Sequence, residues 1–501
     1  MKNLLVGWTK FISCLALIMV CGSPVLRAVA PSSGDWNLAV LDQIIAAVPA
    51  NEKFARIDDM QVPVTYLQTW RNKLAGAPQP KSAFYNGFIP WTSGNVYYVF
   101  DVSVAPANQK VFLDCCAEWA TFANLHFIPR TSQPNYILVT NNATLNGGLS
   151  AVGMSGGAQL LQIGPTAWNH STVCHELGHA LGMCHEHQRS DRDSYVTINT
   201  NFIISGHLPD FALLTSSTNK GAYDFLSVMH YSRNAFSVST ASNTIVPLPA
   251  YNRYLNIMGQ RADPVLSTND RAGMAQIYGV GPGATSVVTN TQDSGPGSLR
   301  AALYYAYDHP GTTITFNIPT TDPGYSNNVF NILPTDALPS LVNGTTLNGS
   351  SEPTNSNPSG PEILLNGALS RPPSVYSSGL MLKGTNCTVR SLIVNNFASF
   401  GIFITGPNAV NNTVSGCYVG VDPTGNFAVT NGITPVQIEA GAVSNTIGGL
   451  TVAERNVISG SALQGLTIRD AGTRFNVVQG NYLGVNVSGT ERVRFSGPLI
   501  C

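Results

Sequence analysis

Residues 175–185 read His-Glu-Leu-Gly-His-Ala-Leu-Gly-Met-Cys-His, and this stretch decides both the fold class and the chemistry to expect. His175 and His179 are four positions apart, so on a helix both imidazoles project from one face and can bind one metal ion. Gly182 can adopt the left-handed conformation that ends a helix and reverses the chain. That turn would bring His185 to the same ion as a third nitrogen ligand and leave a fourth position for water.

The residue after the first histidine supplies the acid–base group. A divalent metal held by three neutral imidazoles keeps its full charge and lowers the pKa of bound water from about 16 towards about 7. Glu176 would accept that proton and later pass it to the leaving amine of a cleaved peptide. The alternative is histidines that only pack in a core helix, which is less favoured because the chain has only 9 histidines to fill this pattern. The motif predicts a zinc-dependent hydrolase.

The residues that follow resemble the astacin family of zinc endopeptidases, within the metzincins. The shared features are the elongated zinc motif, the Arg-x-Asp-Arg-Asp run at 189–193 and the Ser-x-Met-His-Tyr turn at 227–231. The resemblance implies that the zinc ligands are His175, His179 and His185. It also implies that the catalytic domain has a metzincin-like α+β fold and acts on protein or peptide substrates.

The same resemblance assigns roles to four further residues. It makes Glu176 the general base and places Met229 in a turn beneath the metal. Tyr231 resembles the tyrosine that ligates zinc at rest and swings away to hydrogen-bond the oxyanion. Glu186 resembles the acid that holds the new N-terminus after activation. Plain core packing of Met229 and Tyr231 is the alternative, and the zinc motif makes it less favoured.

Length and composition set the organisation. A chain of 501 residues exceeds one ordinary domain. We expect a signal peptide at 1–30, a propeptide at 31–80, the catalytic domain at 81–282 and an all-β, right-handed parallel β-helix at 283–501. Only 11% of residues are charged and the net charge is −1, so no basic surface indicates binding to nucleic acid or to an anionic membrane.

The N-terminus has the pattern of an export signal. Two lysines precede an apolar run at 11–20, and a small-residue pattern follows at 28–30. That run is shorter than the ~20 residues that span a bilayer, so we expect a secreted protein without a membrane span. A lipoprotein anchored at Cys21 is the alternative, which the bulky Val20 before it disfavours.

The expected propeptide contains one candidate metal ligand. Apolar-periodic stretches at 38–48 and 64–74 predict two helices. Astacin-like zymogens place a prosegment aspartate on the zinc, usually after a glycine. Asp59 is the candidate here, with Asp58 where the glycine would stand. An ordinary solvated acidic pair is an equally good interpretation.

The catalytic domain contains readable elements and an unusual set of cysteines. We predict strands at 96–100, 127–130 and 136–139, and helices at 109–124 and from the cap Ser267 towards 278. The strand at 158–164 stands where the family has an edge strand above the zinc, along which a substrate would pair. The two disulfides that are usual in the family have no counterpart here. Two interpretations remain open for Cys115, Cys116, Cys174 and Cys184: all are buried free thiols, or a disulfide joins Cys115 or Cys116 to Cys174 or Cys184.

The last two-fifths of the chain is repetitive. The pattern Asn-x-x-x-Gly recurs at 412–416, 456–460 and 476–480, which predicts coils of about 20–22 residues with asparagine ladders at the turns. Residues 416–422 and 480–486 echo each other, three such coils apart. Residues 288–300 resemble the start of right-handed β-helix domains. We favour a module that binds polysaccharide or a cell surface over a second enzyme. The competing function is an adhesin with an inactive or self-processing metzincin domain.

Overall fold

The computed structural model describes residues 42, 44–49, 52–65, 67–68, 84–85, 88–214, 217–259, 263–370, 377–461 and 463–493. The expected signal peptide lies outside these residues. Of the two predicted prosegment helices, the described residues 42, 44–47, 64–65 and 67–68 are helical, and most of the others lie outside the described part. Within the described part, no helix is both long enough and apolar enough to cross a membrane.

A seven-stranded mixed sheet forms one layer of the N-terminal half. Its strands are β1 (Phe54–Ile57), β2 (Met60–Pro63), β4 (Asn95–Phe100), β5 (His126–Pro129), β6 (Tyr136–Asn141), β7 (Gly148–Ala151) and β8 (Ala158–Ile163). The order across the sheet is β1-β2-β7-β8-β6-β4-β5. Strand β7 runs antiparallel to β8, whereas β8, β6, β4 and β5 are parallel to one another. The predicted strands at 96–100, 127–130 and 136–139 are confirmed to within two residues.

Three helices accompany this sheet: α1 (Pro106–Phe122), α2 (His170–Ala180) and α3 (Thr268–Tyr278). Helix α1 starts with proline, and the Asn169 side chain caps α2 by accepting a hydrogen bond from the N–H of Thr172. Ser267 and Asp270 form a capping box at the start of α3, as the sequence predicted. The indole of Trp119 on α1 donates to the carbonyl of Cys174 on α2, at 3.1 Å, which fixes the two helices to each other.

Between α2 and α3 the chain is mostly irregular. Two short antiparallel pairs order it, β10 (Ser217–Thr218) with β3 (Phe84–Tyr85) and β11 (Ile245–Pro247) with β9 (Val196–Ile198). Aromatic side chains form a second small core here, in which the ring of Phe225 stacks on that of Tyr254 at 4.5 Å. The residues of this core all follow the zinc motif in the sequence.

The edge of the mixed sheet differs from the prediction. Strand β8, predicted as the edge, lies inside the sheet between β7 and β6. The catalytic domain's own edge is β7, and the β1–β2 hairpin from the preceding segment pairs with it in parallel, Met60 opposite Ser150. The prediction was wrong because the segment 148–151 has only four residues, most of them small, and so was not recognised as a strand. It nevertheless pairs antiparallel with β8.

The C-terminal half contains three stacked sheets of short strands. The first comprises β12 (Val287–Val288), β13 (Thr313–Phe316), β16 (Thr346–Asn348), β19 (Thr388–Arg390), β22 (Thr413–Ser415), β25 (Thr446–Gly448) and β28 (Val477–Gln479). The second comprises β14 (Tyr325–Ser326), β15 (Val329–Ile332), β17 (Ile363–Asn366), β20 (Ile393–Asn395), β23 (Tyr418–Val419), β26 (Val457–Ile458) and β29 (Tyr482–Leu483). The third comprises β18 (Leu380–Leu382), β21 (Phe400–Thr405), β24 (Thr434–Glu439) and β27 (Leu466–Ile468). Every pairing is parallel except that of β14 with β15.

The chain visits these sheets in turn, but with a longer period than predicted. Thr346 pairs with Thr388, 42 residues on, and Thr388 pairs with Thr413, 25 residues on. The predicted coil of 20–22 residues is therefore wrong, because Asn-x-x-x-Gly marks corners of two different sheets. Tyr418 and Tyr482 do occupy equivalent positions, two coils apart rather than three.

Asparagine ladders link successive coils, as the sequence predicted. The amide of Asn412 donates to Asn445 at 2.8 Å, and that of Asn445 donates to Asn476 at 2.9 Å. A second ladder joins Asn456 to Asn481 at 2.9 Å. Buried amides of this kind satisfy backbone groups at the corners and fix the register of the coils.

The expectation that this half is all-β is wrong in one respect. Residues Leu299–Asp308 form a helix, α4, capped by the side chain of Ser298. The helix lies beside the first coil, and its apolar face packs on strands β12 and β13. Its sequence carries the alanine and leucine content of a good helix former, a signal that the repeat pattern obscured.

Candidate metal centre and active site

The histidines of the zinc motif meet at one point in the structure. His175 and His179 lie on α2, and the chain then turns back through Gly182 at φ 107°, a left-handed conformation that favours glycine. A β-carbon at Gly182 would lie 2.5 Å from the ring of Phe88. The turn places His185 against the other two imidazoles, with ring centroids 5.3 Å from His175 and 4.8 Å from His179. The predicted turn and convergence are both present.

Each imidazole is oriented through its Nδ1 atom. His175 Nδ1 lies 2.8 Å from the carbonyl oxygen of Val228, and His179 Nδ1 lies 2.8 Å from that of Met183. His185 Nδ1 lies 3.2 Å from the side-chain oxygen of Gln188. These acceptors hold the proton on Nδ1 and leave the Nε2 lone pairs for a ligand. Burial also lowers the pKa of His179, which favours its neutral, metal-binding form.

The carboxylate of Asp59 faces the three Nε2 atoms. Its oxygens lie 3.0 Å from His175 Nε2, 3.3 Å from His179 Nε2 and 2.9 Å from His185 Nε2. Asp59 is in the turn between β1 and β2, after Asp58, which adopts a left-handed φ of 54°. Asp58 stands where the astacin resemblance leads us to expect glycine, and its backbone conformation is one that glycine favours.

The donor set fits a zinc ion. Three imidazole nitrogens and one carboxylate oxygen lie within 4.8 Å of one another. Among the described residues, the buried Nε2 atoms of His179 and His185 make no hydrogen bond, although Asp59 lies beside them. Buried nitrogens left in this state are explained by a metal that they would share.

Glu176 lies next to this cluster and is 1% exposed. It packs against Gly148, the first residue of β7, so closely that a β-carbon on Gly148 would lie 2.2 Å from its Oε1 atom. Burial and this contact fix the carboxylate beside the start of β7. The predicted proton acceptor is therefore buried between strand β7 and the helix that carries His175 and His179.

Tyr231 and Met229 both lie at the site, as the sequence predicted. The ring of Tyr231 is 4.6 Å from that of His185 and stacks on His187 at 3.9 Å. Its buried hydroxyl has no hydrogen-bond partner among the residues that the structure describes. Met229 lies under α2, with Sδ only 2.8 Å from where a β-carbon on Gly178 would stand. A residue larger than glycine would push the turn away from the helix.

The turn that carries these residues is held by Asp270, the aspartate of the capping box at the start of α3. Asp270 accepts hydrogen bonds from the hydroxyl of Ser227 at 2.6 Å and the N–H of Val228 at 2.8 Å. Burial, and then the charge of Asp224, raise the pKa of Asp270 to about 7. Its 42-residue separation from the turn explains why no local pattern revealed this contact.

Glu186 is buried directly after the third histidine. Its Oε1 atom accepts from Arg189 at 3.0 Å and from the N–H of Asp224 at 2.8 Å. Burial raises the pKa of Glu186 to about 8, although the charge of Arg189 acts against it. The carboxyl is therefore largely protonated at neutral pH, and a further positive charge placed beside it would lower its pKa and favour its charged form.

The cysteines near the site are buried thiols. Cys115, Cys116, Cys174 and Cys184 are all described by the structure, and none of these four forms a disulfide. Burial raises the pKa of Cys174 to about 11, so the thiol stays protonated. Of the two interpretations that the sequence left open, the structure has the buried thiols rather than a bridge.

Comparison with known proteins agrees with this geometry. The family model described as Astacin, a peptidase family, matches residues 86–279. An astacin-like metalloendopeptidase of Gallus gallus is 34% identical over 210 residues, which is 41% of this chain and 48% of that protein. Human tolloid-like protein 2 is 32% identical over 245 residues, 46% of this chain and 24% of that protein. The chain spans less than half of these curated relatives.

A solved structure is also similar to part of this chain. High choriolytic enzyme 1, a hatching enzyme zinc-protease from the medaka Oryzias latipes, has 31% sequence identity and covers 38% of this chain and 93% of its own, with a TM-score of 0.35. The sheet, the zinc-motif helix and the histidine cluster define residues 86–279 as a zinc metalloendopeptidase domain. This domain belongs to the astacin family.

Proposed function

We propose that the protein is a zinc-dependent endopeptidase for protein or peptide substrates, synthesised as a secreted zymogen. The observation that carries the proposal is the convergence of three buried Nε2 atoms on one carboxylate. The family of residues 86–279 supports the class of reaction. Export rests on the pattern of residues 1–30, and its test is N-terminal sequencing of protein recovered outside the cell.

His175, His179 and His185 would hold the zinc. Bound there, zinc would polarise a peptide carbonyl and make water a stronger acid. The residues' own contribution is to present three neutral nitrogens in fixed orientation, because each Nδ1 atom is engaged by a protein oxygen.

Glu176 would move the proton. It would accept the proton of the attacking water and pass it to the leaving amine. Its contact with Gly148 supports this role, since a substrate strand paired along β7 would bring its backbone next to the carboxylate.

Tyr231 would stabilise the transition state. A buried hydroxyl without a partner in the described part of the chain can donate to the carbonyl oxygen as that atom gains negative charge. The stacked rings of His187 and Tyr231 hold the hydroxyl near His185. The alternative of plain core packing does not explain an unsatisfied buried hydroxyl.

Asp59 would keep the zymogen inactive. Its carboxylate would take the metal position that the reaction needs, and the β1–β2 hairpin occupies β7, where a substrate would pair. The competing interpretation of a solvated acidic pair is disfavoured, because three imidazoles surround this carboxylate. Cleavage of the chain between residues 65 and 88 would free the site of both the Asp59 carboxylate and the β1–β2 hairpin.

The experiment is casein digestion by the chain before and after removal of the residues preceding 81, with and without a zinc chelator. We expect digestion only after removal, abolished by the chelator and by Glu176→Gln. His126→Gln, on the exposed strand β5, is the matched control and should keep full activity. Chelator-resistant digestion, or near-normal digestion by Glu176→Gln, would contradict the proposal.

We also propose that residues 283–501 form a right-handed parallel β-helix that binds polysaccharide or a cell surface. A cavity of about 380 Å³ on its second sheet supports a ligand. Glu362, Tyr418 and Arg455 line it, and the buried Oε2 atom of Glu362 has no partner in the described part of the chain. Such an atom can accept a hydrogen bond from a sugar hydroxyl.

Affinity electrophoresis of the full chain in gels containing soluble polysaccharides tests this second role. Glu362→Gln should reduce retardation, while Glu439→Gln, on strand β24 of the third sheet and outside the cavity lining, should not. Retardation without any casein digestion would favour the competing adhesin. Release of reducing ends would instead indicate a second enzyme, and no retardation would refute the binding role.

A further inference from the structure

Buried polar side chains join the peptidase domain to the C-terminal half. We call them the docking cluster; each is at most 4% exposed, and the members are Glu118, His170, Asp293, Arg300, Tyr304 and Thr335. Two come from helices α1 and α2 of the peptidase domain, and four come from the C-terminal half. Nothing in the proposed reaction uses them.

His170 is the link on the peptidase side. It is the first residue of α2, and its Nδ1 atom lies 3.1 Å from Glu118 Oε2. Its Nε2 atom lies 3.2 Å from the hydroxyl of Thr335, and its backbone N–H donates to Asp336 at 2.9 Å. The C-terminal half thus supplies both a side-chain partner and an acceptor for the backbone N–H at the start of this helix.

The partners on the other side are held by their own hydrogen bonds. Asp293 accepts from the N–H and the hydroxyl of Thr335, at 2.8 and 2.6 Å. Arg300 donates to Asp293 at 2.7 Å and to the carbonyl of Ala337 at 2.6 Å. Asp293 therefore holds the hydroxyl of Thr335 in place beside His170.

Helix α4 enters the peptidase core itself. The hydroxyl of Tyr304 donates to Glu118 and accepts from the N–H of Leu266 at 3.0 Å. Its ring packs edge-on against Phe122 of α1, with centroids 5.3 Å apart. Tyr304 thereby belongs to the hydrophobic core of the peptidase domain rather than to that of the sheets that follow.

Charges from the two halves act on one another in this cluster. Burial raises the pKa of Glu118, but the hydrogen bond and charge of His170 and the charge of Arg300 outweigh it, and the pKa lies below its usual value. Burial and Arg300 lower the pKa of His170, but Glu118 and Asp293 outweigh them, and its pKa is raised. Without Arg300 and Tyr304, Glu118 would keep His170 but would lose a nearby positive charge and the hydrogen bond from the Tyr304 hydroxyl.

We propose that residues 287–340 are a structural part of the peptidase, and that His170 is a positioning residue through which they fix the helix carrying His175, Glu176 and His179. Five residues of α-helix separate His170 from His175, a rise of about 7.5 Å, so a shift at the start of α2 reaches the histidines directly. This inference depends on the proposed function only because helix α2 carries two of the proposed zinc ligands.

The test uses the full chain with conservative changes at Thr335. Thr335→Val keeps the shape but removes the hydroxyl that contacts His170, Asp114 and Asp293, whereas Thr335→Ser keeps the hydroxyl. Thr345→Val is the matched control, because the hydroxyl of this buried threonine donates to the carbonyl of Val342, within the C-terminal half. Hydrogen exchange of peptides covering 170–180 and zinc affinity by chelator competition are measured for each.

We expect Thr335→Val to speed exchange in α2 about tenfold, as the loss of a buried hydrogen bond would, and to weaken zinc binding, with Thr335→Ser and Thr345→Val behaving as the parent chain. Unchanged exchange and unchanged zinc affinity in Thr335→Val would overturn the proposal. If Thr335→Val does not fold, Tyr304→Phe is tested by the same two measurements. If neither Thr335→Val nor Tyr304→Phe folds while Thr345→Val does, the result supports the proposal. Neither measurement depends on proteolysis, so a failed peptidase assay is distinguishable from a failed docking assay.

Discussion

Replacing Gly148 by alanine would displace the proposed proton acceptor without touching any zinc ligand. The new β-carbon would lie 2.2 Å from Oε1 of Glu176 and 2.4 Å from its Cδ and Cγ atoms. Carbon atoms in ordinary contact are about 3.5–4.0 Å apart, so the carboxylate must move by about 1 Å or more. A misplacement of about 1 Å at a reacting group can cost about 10²-fold in rate, which is about 2.7 kcal/mol of transition-state stabilisation.

The assay is kcat and KM on a fluorogenic peptide with the processed protein, alongside zinc content. We expect Gly148→Ala to lower kcat about 10²-fold while zinc content stays at the parent value. Gly147→Ala is the control, because a β-carbon there meets nothing within 4 Å. A Gly148→Ala enzyme with parental kcat would refute the idea that this packing positions Glu176.

Three further predictions concern the latch, the turn and pH. Asp59→Ala should raise casein digestion by the uncleaved chain, because the carboxylate facing the three imidazoles is gone; digestion as low as that of the parent would remove the latch. Gly182→Ala should lower the melting temperature more than Gly221→Ala, since both glycines have positive φ but only at Gly182 would the new β-carbon meet a side chain, at 2.5 Å; equal losses would contradict this. Burial raises the pKa of Asp270 to about 7, so the folded chain binds this proton more tightly than the unfolded chain, whose aspartate pKa is about 3.9. The free energy of unfolding should then fall as pH rises from about 4 to about 7, and Asp270→Asn should flatten that fall in thermal melts; an unchanged slope would contradict it.

The zinc motif was predictable because its information is local. The four-residue spacing of His175 and His179 and the left-handed turn at Gly182 follow from helix geometry and from the freedom of glycine. Asp59 was only a candidate in the sequence, because nothing local separates it from a solvated acid. Pairing of β2 with β7 brings it to the histidines, and that contact spans more than a hundred residues.

The docking cluster and the turn support were not predictable for the same reason. Glu118, His170 and Thr335 each have a plausible local role in a helix or loop, and only tertiary packing brings them together. Ser267 was recognised as a helix cap, but the hydrogen bonds of Asp270 to the turn were not. In the C-terminal half, strand content was readable from short aliphatic triplets, whereas coil length was not, because loops of different size separate the strands.

The most direct test of the account is the zinc content of the processed chain, measured by mass spectrometry after dialysis. We predict one zinc per chain, retained by His126→Gln and lost from each of His175→Gln, His179→Gln and His185→Gln. A processed chain that remains metal-free after reconstitution, or histidine variants that keep their zinc, would contradict the central claim.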